Sequence, residues 1–145
     1  MDISFNLDLG ELRSIVNKLP KELKQKVTRN AVRSGARIIK ERAKELAPYD
    51  NKRVVGIHLR DAIIVKHVKG TNDIHRVGVK GGSKGAPHGH LLEFGTVKMT
   101  ARPFLLPAFI ETKPLVAKRM IQNLSNGVVK QSRILAGKGK GKGKK

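Results

Sequence analysis

The sequence predicts an α+β fold: a small antiparallel sheet packed against one long helix, with a C-terminal helix and a disordered basic tail. Three observations predict it. A run from Pro20 to Ala47 repeats apolar or small residues at helical spacing without another proline. Two short β-branched alternating segments follow, Ile64 to Val68 and Ile74 to Val79, separated by Lys69, Gly70, Thr71 and Asn72. A second helical period then runs from about Pro107 to Asn126, before a lysine-glycine end.

Element by element, residues Asp2 to Leu9 place Ile3, Phe5, Leu7 and Leu9 on one face and Asp2, Ser4, Asn6 and Asp8 on the other, a strand with one wet face. After Gly10, "ELRSIVNKL" has the spacing of a short helix. The long helix opens on Pro20, a residue suited to a helix start, and carries Leu23, Val27, Ala31, Ile38, Ile39, Ala43 and Leu46. Gly35 in its interior costs about 1 kcal/mol relative to alanine, so its surroundings are expected to press closely, with the middle of the helix buried against the sheet. Pro48 ends it and "YDNKRVVGIH" reads as a flexible loop.

The two β-branched segments form a hairpin through their glycine-containing loop. Gly81 to Pro87 is glycine-rich and reads as mobile. "HLLEFG" makes a short helix with Gly95 as its C-terminal cap, "TVKMTARPF" is extended, and Pro114 locally disturbs the last helix. One domain, residues 1–135, is expected, with the tail 136–145 having nothing to bury.

The 145-residue chain holds 31 Lys+Arg against 11 Asp+Glu, a formal net charge of +20. Five of the positive charges lie in the last nine residues, so 20 less 5 leaves +15 on the body. That excess suits a polyanion or an acidic protein surface and says little about fold. The absence of cysteine removes disulfides and thiol catalysis and fits a reducing compartment. Neither a signal peptide nor a run of about eighteen apolar residues is present, so no membrane is expected.

The chemistry-bearing residues concentrate in "HGHLLEFGTVKMTARPFLLPAF", His88 to Phe109. His88, His90 and Glu93 could ligate zinc or manganese and so support a hydrolase or nuclease, but the histidines stand two apart around a glycine rather than at helical i, i+4 spacing, and no second acidic cluster follows. "GVKGGSKG" lacks the spacing of a phosphate-cradling Walker loop. No cofactor is implied. Lys138, Lys140, Lys142, Lys144 and Lys145 could touch phosphates without reading sequence, while five aromatic residues give stacking little support. Leu91, Leu92 and Phe94 could be plain core and Arg102 a solvated charge. Alternatively, the two prolines of "ARPFLLPAF" fix an extended apolar segment as a rigid ridge that docks on a neighbour.

Glu93, Phe94, Gly95 and Thr96, followed by Ala101, Pro103, Phe104, Pro107 and Ala108, resemble the signature of the gene-ten-type tail-completion, or neck, proteins of long-tailed siphophages. Upstream, "ELAPYD" (45–50) and "GIHLRDAI" (56–63) are similar to the same family's helix end and step into a hairpin. The resemblance spans about Leu23 to Leu124 and leaves the tail outside. It implies a virion component and not an enzyme: a structural subunit of a homo-oligomeric ring, hexameric by expectation, at the head–tail junction. Its implied partners are tail-terminator and head-closure or connector proteins, with genomic DNA in the lumen a further candidate; its place is the virion neck, after assembly in the host cytoplasm. On this reading Glu93 to Thr96 form a structural turn, and Arg102, Pro103, Phe104 and Pro107 belong to an interface strand and helix start. The rival readings are a tail-terminator protein, a sequence-independent DNA-binding protein and a metal-dependent hydrolase.

Overall fold

A computed structural model describes residues 14, 16–49, 57–70 and 74–138, with the backbone alone at 135 and 138. The strand expected at Asp2 to Leu9 and most of the loop after Tyr49 lie outside them. Of the short helix expected before Pro20, residues 16–18 are helical, and Leu19 N–H donates to the Val16 carbonyl at 3.2 Å.

Helix α1 spans Lys21–Leu46. Its start is local: Pro20 sits at φ −52°, Glu22 places a negative charge in the first turn, and no side chain caps the end. Its stop is local too, because a residue before proline avoids the helical region, and Ala47, before Pro48, turns extended at ψ 132°. Arg60 Nε then donates to the Ala47 carbonyl at 3.1 Å, and its guanidinium lies 4.9 Å from the Tyr49 ring centre. Tyr49 in turn stacks on His58 at 4.8 Å, so the stretches 45–50 and 56–63 meet in space.

The single turn α2, Leu59–Ala62, leads directly into strand β1, Ile63–His67, which pairs antiparallel with β2, His75–Val79. The register runs from Ile63 opposite Val79 to His67 opposite His75, and two flanking bonds, Lys80 N–H to Ala62 O and Val68 N–H to Ile74 O, extend the ladder. Gly70, at φ 82°, makes the turn. Both strands pack on α1. The Gly81 to Pro87 segment, expected to be mobile, is a defined turn. Ala86 donates to the Lys80 carbonyl and is itself 1% exposed, so a buried methyl pins a segment that composition alone reads as loose.

Helix α3, Gly89–Phe94, ends at Gly95 as expected. Helix α4, Leu105–Lys138, is longer than its sequence signals suggest at both ends. It passes through Pro114, whose missing N–H frees the Ile110 carbonyl on a face where both residues are exposed and water can satisfy it. It also passes Asn126 and Gly127, a pair that reads as a stop, because the packing there is tertiary: a Cβ on Gly127 would lie 2.7 Å from Val27 Cγ1, and Val128 is buried. The first three tail residues, Ala136 to Lys138, are therefore helical.

Helices α1 and α4 run antiparallel, in contact from Arg42 with Glu111 to Val27 with Gly127. Gly35 corrects one expectation. Its close neighbour is not the sheet but α4: a Cβ there would meet Val116 Cγ1 at 2.9 Å and Met120 Cγ at 3.0 Å. Asn123 donates to Ser34 Oγ across the same seam at 2.5 Å. The main core gathers Ala43, Ala47, Leu59, Ala62, Ile63, Ala86, Phe104 and Ala108, with Phe104 and Ile63 its largest fully buried side chains. Small residues on α1 let the sheet and the start of α4 close over those two.

Candidate docking surface at the start of the C-terminal helix

An α-helix begins with four N–H groups that have no intrahelical acceptor. In α4 these belong to Phe104, Leu105, Leu106 and the position of Pro107. The Glu93 carboxylate accepts three of them: Oε2 from Phe104 at 2.9 Å and Leu105 at 3.0 Å, and Oε1 from Leu106 at 3.0 Å. The fourth position is Pro107, which has no N–H to satisfy. Ala108 N–H then opens the regular ladder to the Phe104 carbonyl at 3.3 Å. A negative charge at this end is also favoured by the helix dipole, and charged hydrogen bonds are the stronger kind.

The chain reaches this arrangement through Gly95. Its φ of 74° with ψ of −178° belongs to a region open essentially to glycine, and a Cβ would stand 2.8 Å from Ala101 N and 2.9 Å from Met99 O. The sharp exit sends residues 96–100 out as a small loop closed by a bridge between Thr96 and Met99, with Thr96 Oγ1 accepting from Lys98 N–H. The chain returns at Arg102, whose N–H donates to the Leu92 carbonyl at 2.7 Å. Pro103 and the buried Phe104 then set the direction of α4. Residues 101–103 join no ladder, so the expected interface strand is a bare connector: the Arg102 and Phe104 N–H groups go to Leu92 and Glu93 instead.

Every expected motif residue therefore has a place. Glu93, Gly95 and Phe104 build the turn and anchor it. Thr96 closes the loop, Pro107 fills the donor-free position, and the side chains of Phe94, Arg102 and Pro103 face outward. Phe94 is 82% exposed, which removes it from the core. Leu106, Phe109 and Ile110 are exposed beside it on the first turns of α4, at 59%, 47% and 61%. Sequence reading placed Leu106 and Phe109 inside the "ARPFLLPAF" ridge but did not single out Ile110; neither residue type nor spacing separates an outward apolar residue from an inward one near the end of a helix.

Next to this ridge lies a groove of about 910 Å³, floored by Ile39, Val77 and Val79 and walled by Pro103, Leu105 and Phe109. His75, His90 and Glu93 supply its side-chain polarity. Glu93 is committed to backbone donors, and His90 Nδ1 faces the Pro87 carbonyl at 2.5 Å. His88, His90 and Glu93 do not converge as ligands: among the described residues, no three His, Cys, Asp or Glu side chains are grouped to hold a metal. Of the tail lysines, Lys138 ends α4 and Lys140, Lys142, Lys144 and Lys145 lie outside the described residues. No described helix is long and apolar enough to cross a membrane.

The fold is a small α+β unit that exposes an apolar ridge at the start of its C-terminal helix. A family model, HK97-gp10-like, described as "Bacteriophage HK97-gp10, putative tail-component", matches residues 10–95. The match covers more than half of the chain, and the chain belongs to this family of phage tail components, which places it in the virion. No curated protein and no solved structure matches the chain. The family match stops at Gly95, whereas "ARPFLLPAF" lies beyond it; the three Glu93 hydrogen bonds tie the two stretches into one unit.

Proposed function

We propose that this tail component works at the neck, as a tail-completion subunit that forms a ring joining tail to head. The observation that carries the reading is the ridge itself: Phe94, Leu106, Phe109 and Ile110 are exposed together on a helix start locked from within by Glu93. Large exposed apolar patches mark interaction surfaces, and a rigid one loses little entropy on docking.

Ring subunits need two different complementary faces that close by rotation. The second copy in the ring is the occupant proposed for the groove. Groove and ridge share Phe94, Leu106 and Phe109 and so form one of the two faces; its walls are apolar and its one carboxylate is already satisfied, which suits an apolar knob from the neighbour's other face better than a polar ligand. Six copies are the expectation from the gene-ten-type resemblance, with tail-terminator and head-closure or connector proteins as neighbours above and below. The function is assembly, with no chemical step.

The test is the mass of the purified chain at moderate salt, alone and mixed with tails and DNA-filled heads, followed by imaging of joined particles. A ring-sized species, or a stoichiometric set of copies at the junction only, supports the neck. Leu106→Asp with Ile110→Asp should abolish it while leaving the monomer folded. Copies at the end of the tail tube without heads would make it a tail terminator, and a monomer that ignores both particles would end the reading.

A further inference from the structure

Helix α1 carries a charged feature away from the docking surface. At about 100° per residue, Lys26, Arg29, Arg33, Arg37, Lys40 and Lys44 fall within an arc of roughly 80°. Between 26 and 44, every residue that projects onto this arc is lysine or arginine. Elsewhere on the helix Val27 and Gly35 meet α4 and Ala43 enters the core, while the exposed Asn30 and Glu41 border the stripe. Within the stripe Lys26, Arg29, Arg33 and Arg37 are exposed and Lys40 and Lys44 half-buried. Arg42, on the opposite side, pairs with Glu45 and Glu111.

We infer that this stripe is a binding surface for the phosphate backbone of duplex nucleic acid, contacted without base recognition. Six positive charges over about 27 Å of rigid helix form a single-sign track, and duplex DNA presents one negative charge per ~1.7 Å. A protein partner is the poorer fit. Protein interfaces surround an apolar or aromatic centre with a charged rim, and this arc has no apolar residue between Lys26 and Lys44. Arginine can also pair with guanine edges, so an A·T-only duplex is run beside the random one, and equal affinity for the two is the result expected of backbone contact. The assignment adds a phosphate contact on the folded body to those expected of the lysine tail. It rests on the neck reading only for where the duplex would come from; the contact belongs to the isolated chain.

The experiment measures affinity of the full chain for a random-sequence duplex between 50 and 200 mM salt, in arms that separate stripe from tail. With Lys140, Lys142, Lys144 and Lys145 changed to Gln, the stripe should still give a slope of log K against log salt near −5, an affinity loss of about 10³-fold over that range. Adding Arg33→Gln and Arg37→Gln should weaken binding at least 10-fold and reduce the slope by about two, while Arg33→Lys with Arg37→Lys should restore the slope. Lys118→Gln with Lys130→Gln on α4 is the control for charge in general. The inference is overturned by loss of all duplex binding on neutralising the tail, by equal losses from the α4 pair, or by tighter binding to polyglutamate than to DNA. Each of those results leaves the neck reading standing, because that reading is decided by the junction experiment.

Discussion

The two long helices begin in opposite ways. Helix α1 starts with proline, has one acidic residue in its first turn and receives no side-chain cap. Helix α4 starts by donating three backbone hydrogen bonds to a glutamate more than ten residues upstream, on a different helix. The first start is written into neighbouring residues, whereas the second exists only once α3, the Gly95 turn and Phe104 are in place. What differs is coupling: α1 can begin alone, but the start of α4 reports on the whole motif, and the exposed ridge sits on that start.

The strongest way to break the comparison is Gly95→Ala. A side chain in this backbone region is strained and would also press on the backbone of Ala101 and Met99, which cannot move aside cheaply. A loss of about 3 kcal/mol is expected, lowering the melting midpoint by roughly 6 to 12 °C in thermal unfolding. Glu93→Ala comes next, at about 2 to 3 kcal/mol, because three backbone donors lose a charged acceptor together. Hydrogen exchange should show the amides of Leu105 and Leu106 opening first. The matched change in α1, Glu22→Ala, should cost no more than about 0.5 kcal/mol. If the two glutamates prove equal, the contrast between the helix starts is wrong.

The seam between the helices sharpens the picture. Alanine at Gly127 meets Val27, a stiff β-branched side chain, and should destabilise by about 1 kcal/mol despite the gain in helix propensity. Alanine at Gly35 meets Val116 first, at 2.9 Å, and then the flexible Met120, so it should also destabilise, but by less than at Gly127, about 0.5 kcal/mol by chemical denaturation. The smallest effect is expected at Arg42→Ala. Its hydrogen bonds to Glu45 and then Glu111 push the guanidinium pKa further up, so it stays charged throughout ordinary pH and the contacts respond to salt instead. Exposed pairs of this kind contribute little, and the melting midpoint should not move measurably.

Much of the fold was legible. The limits of α1 needed only Pro20 and Pro48, and the hairpin needed only β-branched alternation around Gly70. The short helix and its glycine stop were also readable at "HLLEFG". The far end of α4 was not, because Asn126 and Gly127 look like a stop until Val27 is seen to require the glycine's missing side chain. Gly35 shows the same limit from another side. Its conformational cost announces a close neighbour, but the identity of that neighbour depends on which element arrives there.

The docking surface divides in the same manner. The residues of the motif were visible as residues, and Glu93 invited a metal or catalytic reading because carboxylate and histidines stand close in sequence. Its use as a helix cap follows from a turn that brings residues 104–106 onto it. By itself the sequence determined the helical and strand periods, the turn glycines and the strong positive charge, all of which follow from local sterics, spacing and composition. Only the tertiary structure decided which apolar residues of α4 face outward and what Glu93 binds. Those are questions of distance between segments, and no local propensity contains them.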